Sequence, residues 1–406
     1  MQYKLEDICE FIRNGASIKQ NDNIIGYPIT RIETIANSYI DLNRMGYAGI
    51  IELGKYEEYL LNDGDILMSH INSEKHLGKT AIYEKCNEKI IHGMNLLCLR
   101  PKKNIVEPKY LNYYFNNLVF RRQLPKITKK SVNQASFAVT DLKNIKVILP
   151  TKDTQLKVVK ILDKAQELID KRKEQIQTLD ELVKSKFIEM FGDPINNPMG
   201  WQVKKLKDIS TKILSGNTPK GGSEVYVDSG IMFFRSQNVW KNKLVLDDIA
   251  YIDEDTHNKM LKSSLKHRDI LMTKTGRINT ENSSLGRAAM YLGEDDKANI
   301  NGHVYLIRLK QEILNEFILF ILTSKEYRGY IRSVCVGGID KRQLNKEHIE
   351  DFPIIFPPIE QQKEFVTYVK QVDKLKFEME ESLKELEDNF KSLMQKLFKC
   401  ELFNKK

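Results

Sequence analysis

At 406 residues the chain exceeds one ordinary hydrophobic core, and its length argues for two or three domains. With 64 Lys and Arg against 55 Asp and Glu, the net charge of +9 favours a polyanionic partner without demanding one. The five cysteines (Cys9, Cys86, Cys98, Cys335 and Cys400) contain no Cys-x-x-Cys pair, which argues against a zinc ribbon or a disulfide framework and for a reducing compartment.

In chain order, residues 1–150 mix short β-branched runs such as KVIL with Gly, Asn and Asp turn signals, and carry one helical stretch near Tyr110 to Leu118. They read as a compact α+β domain. From Asp153 to Phe191 there is neither Gly nor Pro, and Gly192-Asp193-Pro194 closes the run, so residues 151–191 read as one long helix. Its apolar positions Leu162, Ala165, Ile169, Ile176, Leu179, Val183 and Met190 form a coiled-coil seam broken at Arg172 and Lys186. Residues 192–357 read as a second α+β domain and 358–406 as a second long helix. There the seam is Val369, Val372, Met379, Leu383, Leu386, Phe390, Leu393 and Leu397, broken at Lys376. The most apolar run, Phe317 to Leu322, is far too short to span a membrane, and the acidic start MQYKLEDICEF lacks a signal-peptide core. A cytoplasmic protein with no membrane partner is expected.

The second half repeats the first. KLEDICEFIRNG (Lys4 to Gly15) corresponds to KLKDISTKILSG (Lys205 to Gly216), Arg31 to Arg235, the DILM tetrad at Asp65 to that at Asp269, and Pro150 to Pro357. Positive charge follows the repeat: residues 1–150 hold 21 basic and 16 acidic groups, residues 191–357 hold 24 and 21. Seams shared by two helices of one chain are most simply buried by packing the helices together as an antiparallel pair, a rod of roughly 55 Å that relates the domains by a pseudo-twofold axis. The alternative is that each amphipathic helix covers its own domain.

Catalytic constellations fail. Gly78-Lys79-Thr80 resembles the tail of a phosphate loop, but Ser73 stands where the first glycine belongs and the repeat replaces Lys79 by Arg287 and Thr80 by Ala288. Phe356-Pro357-Pro358-Ile359 lacks the Asn or Asp of an amino-methyltransferase loop and reads as punctuation before a helix. Glu107-Pro108-Lys109 carries a proline where a nuclease strand would run, and seven scattered histidines show no ligand spacing, so no metal site is expected. Three kinds of segment instead combine positive charge, amides and small residues. They are Arg31 and the Arg235-Gln237-Asn238 stretch; the segments after each DILM, with Ser69 and His70 in one copy and Thr273, Lys274, Arg277 and Asn279 in the other; and Lys129, Lys130, Asn133 and Gln134 matched by Gly338, Asp340, Lys341 and Arg342. Arg and Lys can clasp guanine, Asn and Gln can pair with adenine, and Ser or Thr can hold phosphate, so double-stranded DNA is the expected partner.

With these features the chain resembles the specificity subunits of type I restriction-modification enzymes. The resemblance covers the whole chain: two domains that open on a KLxDI-like segment and an I-x-x-G turn, carry a DILM-type strand, and close on a proline followed by a helical spacer with Gln155 or Gln362 five residues on. It implies that each domain recognises one half of a bipartite, asymmetric DNA site and that the paired helices set the gap, so that about four inserted residues would alter the accepted spacing. It further implies docking of two adenine methyltransferase subunits and, through them, restriction or translocase subunits. The chain itself would then be non-catalytic, with S-adenosylmethionine, ATP and magnesium held only by partner subunits. A free-standing bipartite DNA-binding regulator and a protein scaffold remain the alternative readings.

Overall fold

The computed structural model describes residues 1–19, 25–36, 38–84, 88–131, 134–280 and 282–399. It divides into two compact units: the first joins Met1–Glu174 to the segment from Glu380 onward, and the second is Gln175–Met379. Both long helices, Lys152–Phe191 and Ile359–Phe398, contribute to both units.

In the first unit the central sheet is antiparallel, in the order Cys9–Asn14, Leu97–Pro101, Ile66–Met68, Thr80–Ile82. The second unit repeats it as Ser210–Ser215, Val304–Leu309, Ile270–Thr273, Ala288–Met290. Even the irregularity recurs, between Cys9 and Phe11 and between Ser210 and Lys212. The DILM tetrads occupy an interior strand buried on both faces. Ile66 and Met68 join the main core cluster and Leu67 a second one, as Ile270, Met272 and Leu271 do in the repeat. The KLxDI segments are short turns whose Leu5 and Ile8, or Leu206 and Ile209, plug the core. Each unit is tied end to end, Gln2–Lys4 pairing with Lys146–Ile148 and Val203–Lys205 with Pro353–Ile355. The I-x-x-G glycines are close approaches: a Cβ on Gly15 would lie 2.3 Å from the His92 carbonyl oxygen, and one on Gly216 would lie 2.2 Å from that of Ile300.

A buried fork braces each sheet. Arg100 donates to Asp65 through Nε (2.8 Å) and a terminal nitrogen (2.7 Å), and Arg308 does the same to Asp269 at 2.8 and 2.6 Å. The same carboxylates accept the Asn62 and Lys266 amides, each at 2.7 Å. The aspartate of DILM therefore serves the sheet.

The helices pair antiparallel inside each unit. In the first, Lys173 meets Glu387 at 2.9 Å, while Val158 and Leu162 share a core with Phe390, Leu393 and Leu397. In the second, Asp180 meets Lys376 at 2.7 Å, and Phe187 stacks on Phe365 with ring centroids 5.3 Å apart. Of the expected seam, Leu162, Ile169, Leu179, Val183 and Val372 are buried, whereas Ile176, Val369, Met379, Leu383, Leu386 and Phe390 are half-buried. The two ways of burying these helices coexist: the pair also covers each domain, through Tyr113 on Asp163 (2.7 Å) and through Phe187 on Phe317 and Phe320. The P-x4-Q glutamines staple the junctions. Gln155 Nε2 donates to the Pro150 carbonyl at 3.0 Å and Gln362 Nε2 to that of Pro357 at 2.7 Å. The expected helix near Tyr110 is two, Pro108–Asn116 and Leu118–Arg121, with Pro108 at the first helical position, where it lacks no needed donor.

Candidate nucleic-acid interface

Two of the three candidate segments come together in each unit, through strand pairing distant in sequence. In the first unit Ile71–Asn72, which follows the DILM strand, pairs with Ala135–Ser136, and that strand pairs with Lys129–Lys130. In the second, Thr275–Arg277 pairs with Lys341–Gln343, which pairs with Val336–Gly337. Each unit thus carries a three-stranded antiparallel ribbon at the same place in its topology. Their residues differ. Lys129, Lys130 and Gln134 are exposed on the first, with Lys130 meeting Glu74 at 2.7 Å; Asn133 lies outside the described residues. On the second, Arg277, Asn279, Gly338, Asp340 and Lys341 are exposed, Arg342 is half-exposed, and Arg277 meets Asp340 at 3.2 Å. Lys274 sits at the ribbon's base, its ammonium 5.7 Å from the Tyr305 ring centre.

Several of the candidate residues are buried and bonded within their own unit. Ser69 and Thr273 are buried next to or at the ends of the DILM strands, where their amides donate to the Lys79 and Arg287 carbonyls and Thr273 Oγ1 donates to the Ser284 carbonyl. His70 is 7 % exposed, its ring edge-on to Phe137, and burial holds its pKa below the ordinary histidine value. Asn238, 1 % exposed, accepts the Arg235 amide at 2.9 Å and donates to the carbonyls of Val245 (3.0 Å) and Asp248 (3.1 Å). Thr34 does the same work in the first copy, accepting the Arg31 amide at 2.8 Å. Ser69, His70, Thr273 and Asn238 are thus buried within their own units. Arg235 and Gln237 are spent on one carboxylate, that of Asp248, at 3.1 and 2.8 Å, and the bonds from Gln237 and Arg235 hold that acid below the usual carboxylate range. Arg31 lines a separate hollow of about 430 Å³ with Glu33, Met94 and Asn95. Gly78-Lys79-Thr80 is a turn into the last sheet strand, and Lys79 donates to the Ala36 carbonyl at 2.9 Å.

The ribbon itself is not legible in the sequence. Its pairing partners lie some sixty residues apart, and the one available signal was that both segments recurred together in the repeat. A two-stranded ribbon or a helix fits the major groove of duplex DNA, and ribbons edged with Lys and Arg combine phosphate attraction with reach to base edges. Among the described residues no cluster of three or more His, Cys, Asp or Glu could hold a metal ion, and no helix is long and apolar enough to cross a membrane.

Two repeated α+β units, each with a ribbon that carries basic residues, and an antiparallel helix pair define a class of tandem-repeat proteins with two candidate nucleic-acid surfaces. Comparison with known proteins identifies the family. The profile described as the type I restriction modification DNA specificity domain matches residues 1–180 and again 198–388. Across 389 residues the chain is 34 % identical to a protein described as the MjaX type I restriction enzyme specificity subunit of Methanocaldococcus jannaschii, covering 92 % of this chain and 86 % of the relative. The MjaVIII specificity subunit of the same organism is 24 % identical over 334 residues, 79 % of this chain and 74 % of that one. Among solved structures, a chain from work on complex assembly and conformational transition of the type I R-M system superposes with a TM-score of 0.60 at 17 % identity, covering 98 % of this chain and 97 % of the other. The chain belongs to the type I restriction-modification specificity family, whose members recognise DNA sequence.

Proposed function

We propose that this chain is the DNA-reading subunit of a type I restriction-modification complex. Each recognition domain contacts one half of a bipartite target, and because the two ribbons carry different residues the half-sites differ. The long helices hold two copies of an adenine methyltransferase subunit, through which restriction subunits join, and the chemistry with S-adenosylmethionine, ATP and magnesium belongs to those partners. The observation that carries this reading is the recurrence of one basic ribbon, at one topological position, with different side chains in each unit. A common frame with a variable edge is what sequence reading requires.

The ribbon cations supply salt-sensitive affinity by releasing counterions from phosphates. The test measures binding of the chain in complex with its methyltransferase to duplex DNA across a salt series. Replacing both Lys129 and Lys130 by Gln is expected to reduce the log–log salt slope by about 0.9 per lost phosphate contact while leaving the preferred sequence of the other half-site intact. An unchanged slope would remove the ribbon from the interface.

A further inference from the structure

Ile339 stands apart on the second ribbon. It is 91 % exposed, the most exposed large apolar side chain among the described residues. Its setting is not a loose loop. The turn that carries it is closed by the Gly338 amide on the Lys341 carbonyl at 3.1 Å, the Ile278 amide bonds the Asp340 carbonyl at 3.0 Å, and Arg277 meets the Asp340 carboxylate at 3.2 Å. Gly337 takes a φ of +134°, which only glycine adopts readily. The turn is thus bonded to the neighbouring strand while one branched hydrocarbon stands in water, and the strands it joins carry Arg277, Lys341 and Arg342.

A scattered surface isoleucine needs no explanation; one at the tip of a hydrogen-bonded hairpin that carries several cations does. The surrounding cations suit phosphates, and the apolar centre needs an apolar feature between them. In the major groove of duplex DNA that feature is the 5-methyl group of thymine, which alkyl side chains contact directly. Because backbone bonds already shape the turn, less ordering cost is left to offset the contact.

We propose that Ile339 reads a thymine methyl in the half-site bound by the second unit and is a specificity-determining residue for that half. This rests on the DNA-reading function proposed above. The test uses the complex of full-length chain and methyltransferase with duplexes carrying its mapped target, in which each thymine of either half-site is replaced in turn by deoxyuridine. That exchange removes the methyl and leaves every hydrogen-bonding group in place.

One thymine in a single half-site is expected to show a 3- to 10-fold loss of affinity on replacement. Ile339→Ala should bind the unmodified target more weakly by a similar factor and become indifferent to the exchange at that position, while Ile339→Val retains most of the sensitivity. The inference is overturned if no deoxyuridine weakens wild-type binding, or if Ile339→Ala keeps the full sensitivity. Wild-type complex that prefers no sequence at all would instead overturn the DNA-reading function on which it rests. Far-ultraviolet circular dichroism of both variants, expected to match wild type for so exposed a residue, separates lost contact from lost fold.

Discussion

Replacing Arg308 by Met tests whether the buried fork holds the second sheet together. Asp269 is 2 % exposed and takes three bonds, two from Arg308 and one from the Lys266 amide. Without the guanidinium, a carboxylate sealed from water keeps a single donor. Hydrogen bonds to charged groups contribute about 1.5–3 kcal/mol each, and breaking one side of a buried pair costs about 3–5 kcal/mol. Arg308 is 20 % exposed and so partly screened, which places the cost near 3 kcal/mol. The reverse change, Asp269→Asn, should cost less, about 1–2 kcal/mol, because the freed guanidinium can reach water. Pairing Arg308→Met with Asp269→Asn should recover part of the loss. Urea titration with thiol labelling gives the readout, since Cys335, buried in the second unit, becomes reactive as that unit opens. With a slope of about 2–3 kcal/mol per molar urea, the Cys335 midpoint should fall by roughly 1 M in Arg308→Met. A fall equivalent to under about 1 kcal/mol, or a double variant no more stable than Arg308→Met alone, would refute the reasoning.

Other outcomes follow from the same structure. Gly216→Ala drives a methyl into the Ile300 carbonyl and should destabilise the second unit by about 2 kcal/mol or more, seen again at Cys335. Leu162→Ala removes a side chain with no exposed surface between the first domain and the helix pair, and should cost about 2–5 kcal/mol in the transition reported by Cys9. Burial lowers the His92 pKa to about 4, so the folded first unit resists a proton that the unfolded chain accepts. Stability from this group is complete above about pH 6.5 and is lost as pH falls toward 4, up to about 3 kcal/mol, and His92→Gln should flatten that part of the pH–stability curve.

The repeat made much of the frame legible. Paired DILM tetrads, KLxDI turns and close-approach glycines recur because each fills a fixed place in a core or between backbones, and periodicity exposes such places. The seam was legible for the same reason, although the sequence offered self-pairing and domain-covering as alternatives and the aromatics Phe187, Phe317 and Phe365 satisfy both. Polar roles were harder to see. Ser69, Thr273 and Asn238 look like loop residues, yet strand ends and tight turns bury small polar groups that bond the backbone; the alignment of Asn238 with Thr34, both capping a short turn, was the available hint. Arg100 and Arg308 are isolated in sequence from the aspartates they clasp. Ile339, set between glycine and aspartate, reads as turn filler until the bracing around it is visible.

If two different ribbons on one chain read two different half-sites, a map of methylated adenines will show it. The chain and a cognate methyltransferase subunit would be expressed in a host without its own modification, alongside a chain in which Arg277, Lys341 and Arg342 are all changed to Gln. The wild-type chain should yield one split, asymmetric motif, and the variant a motif degraded in one half alone. Methylation without a split motif, or a variant that erodes both halves equally, would contradict it.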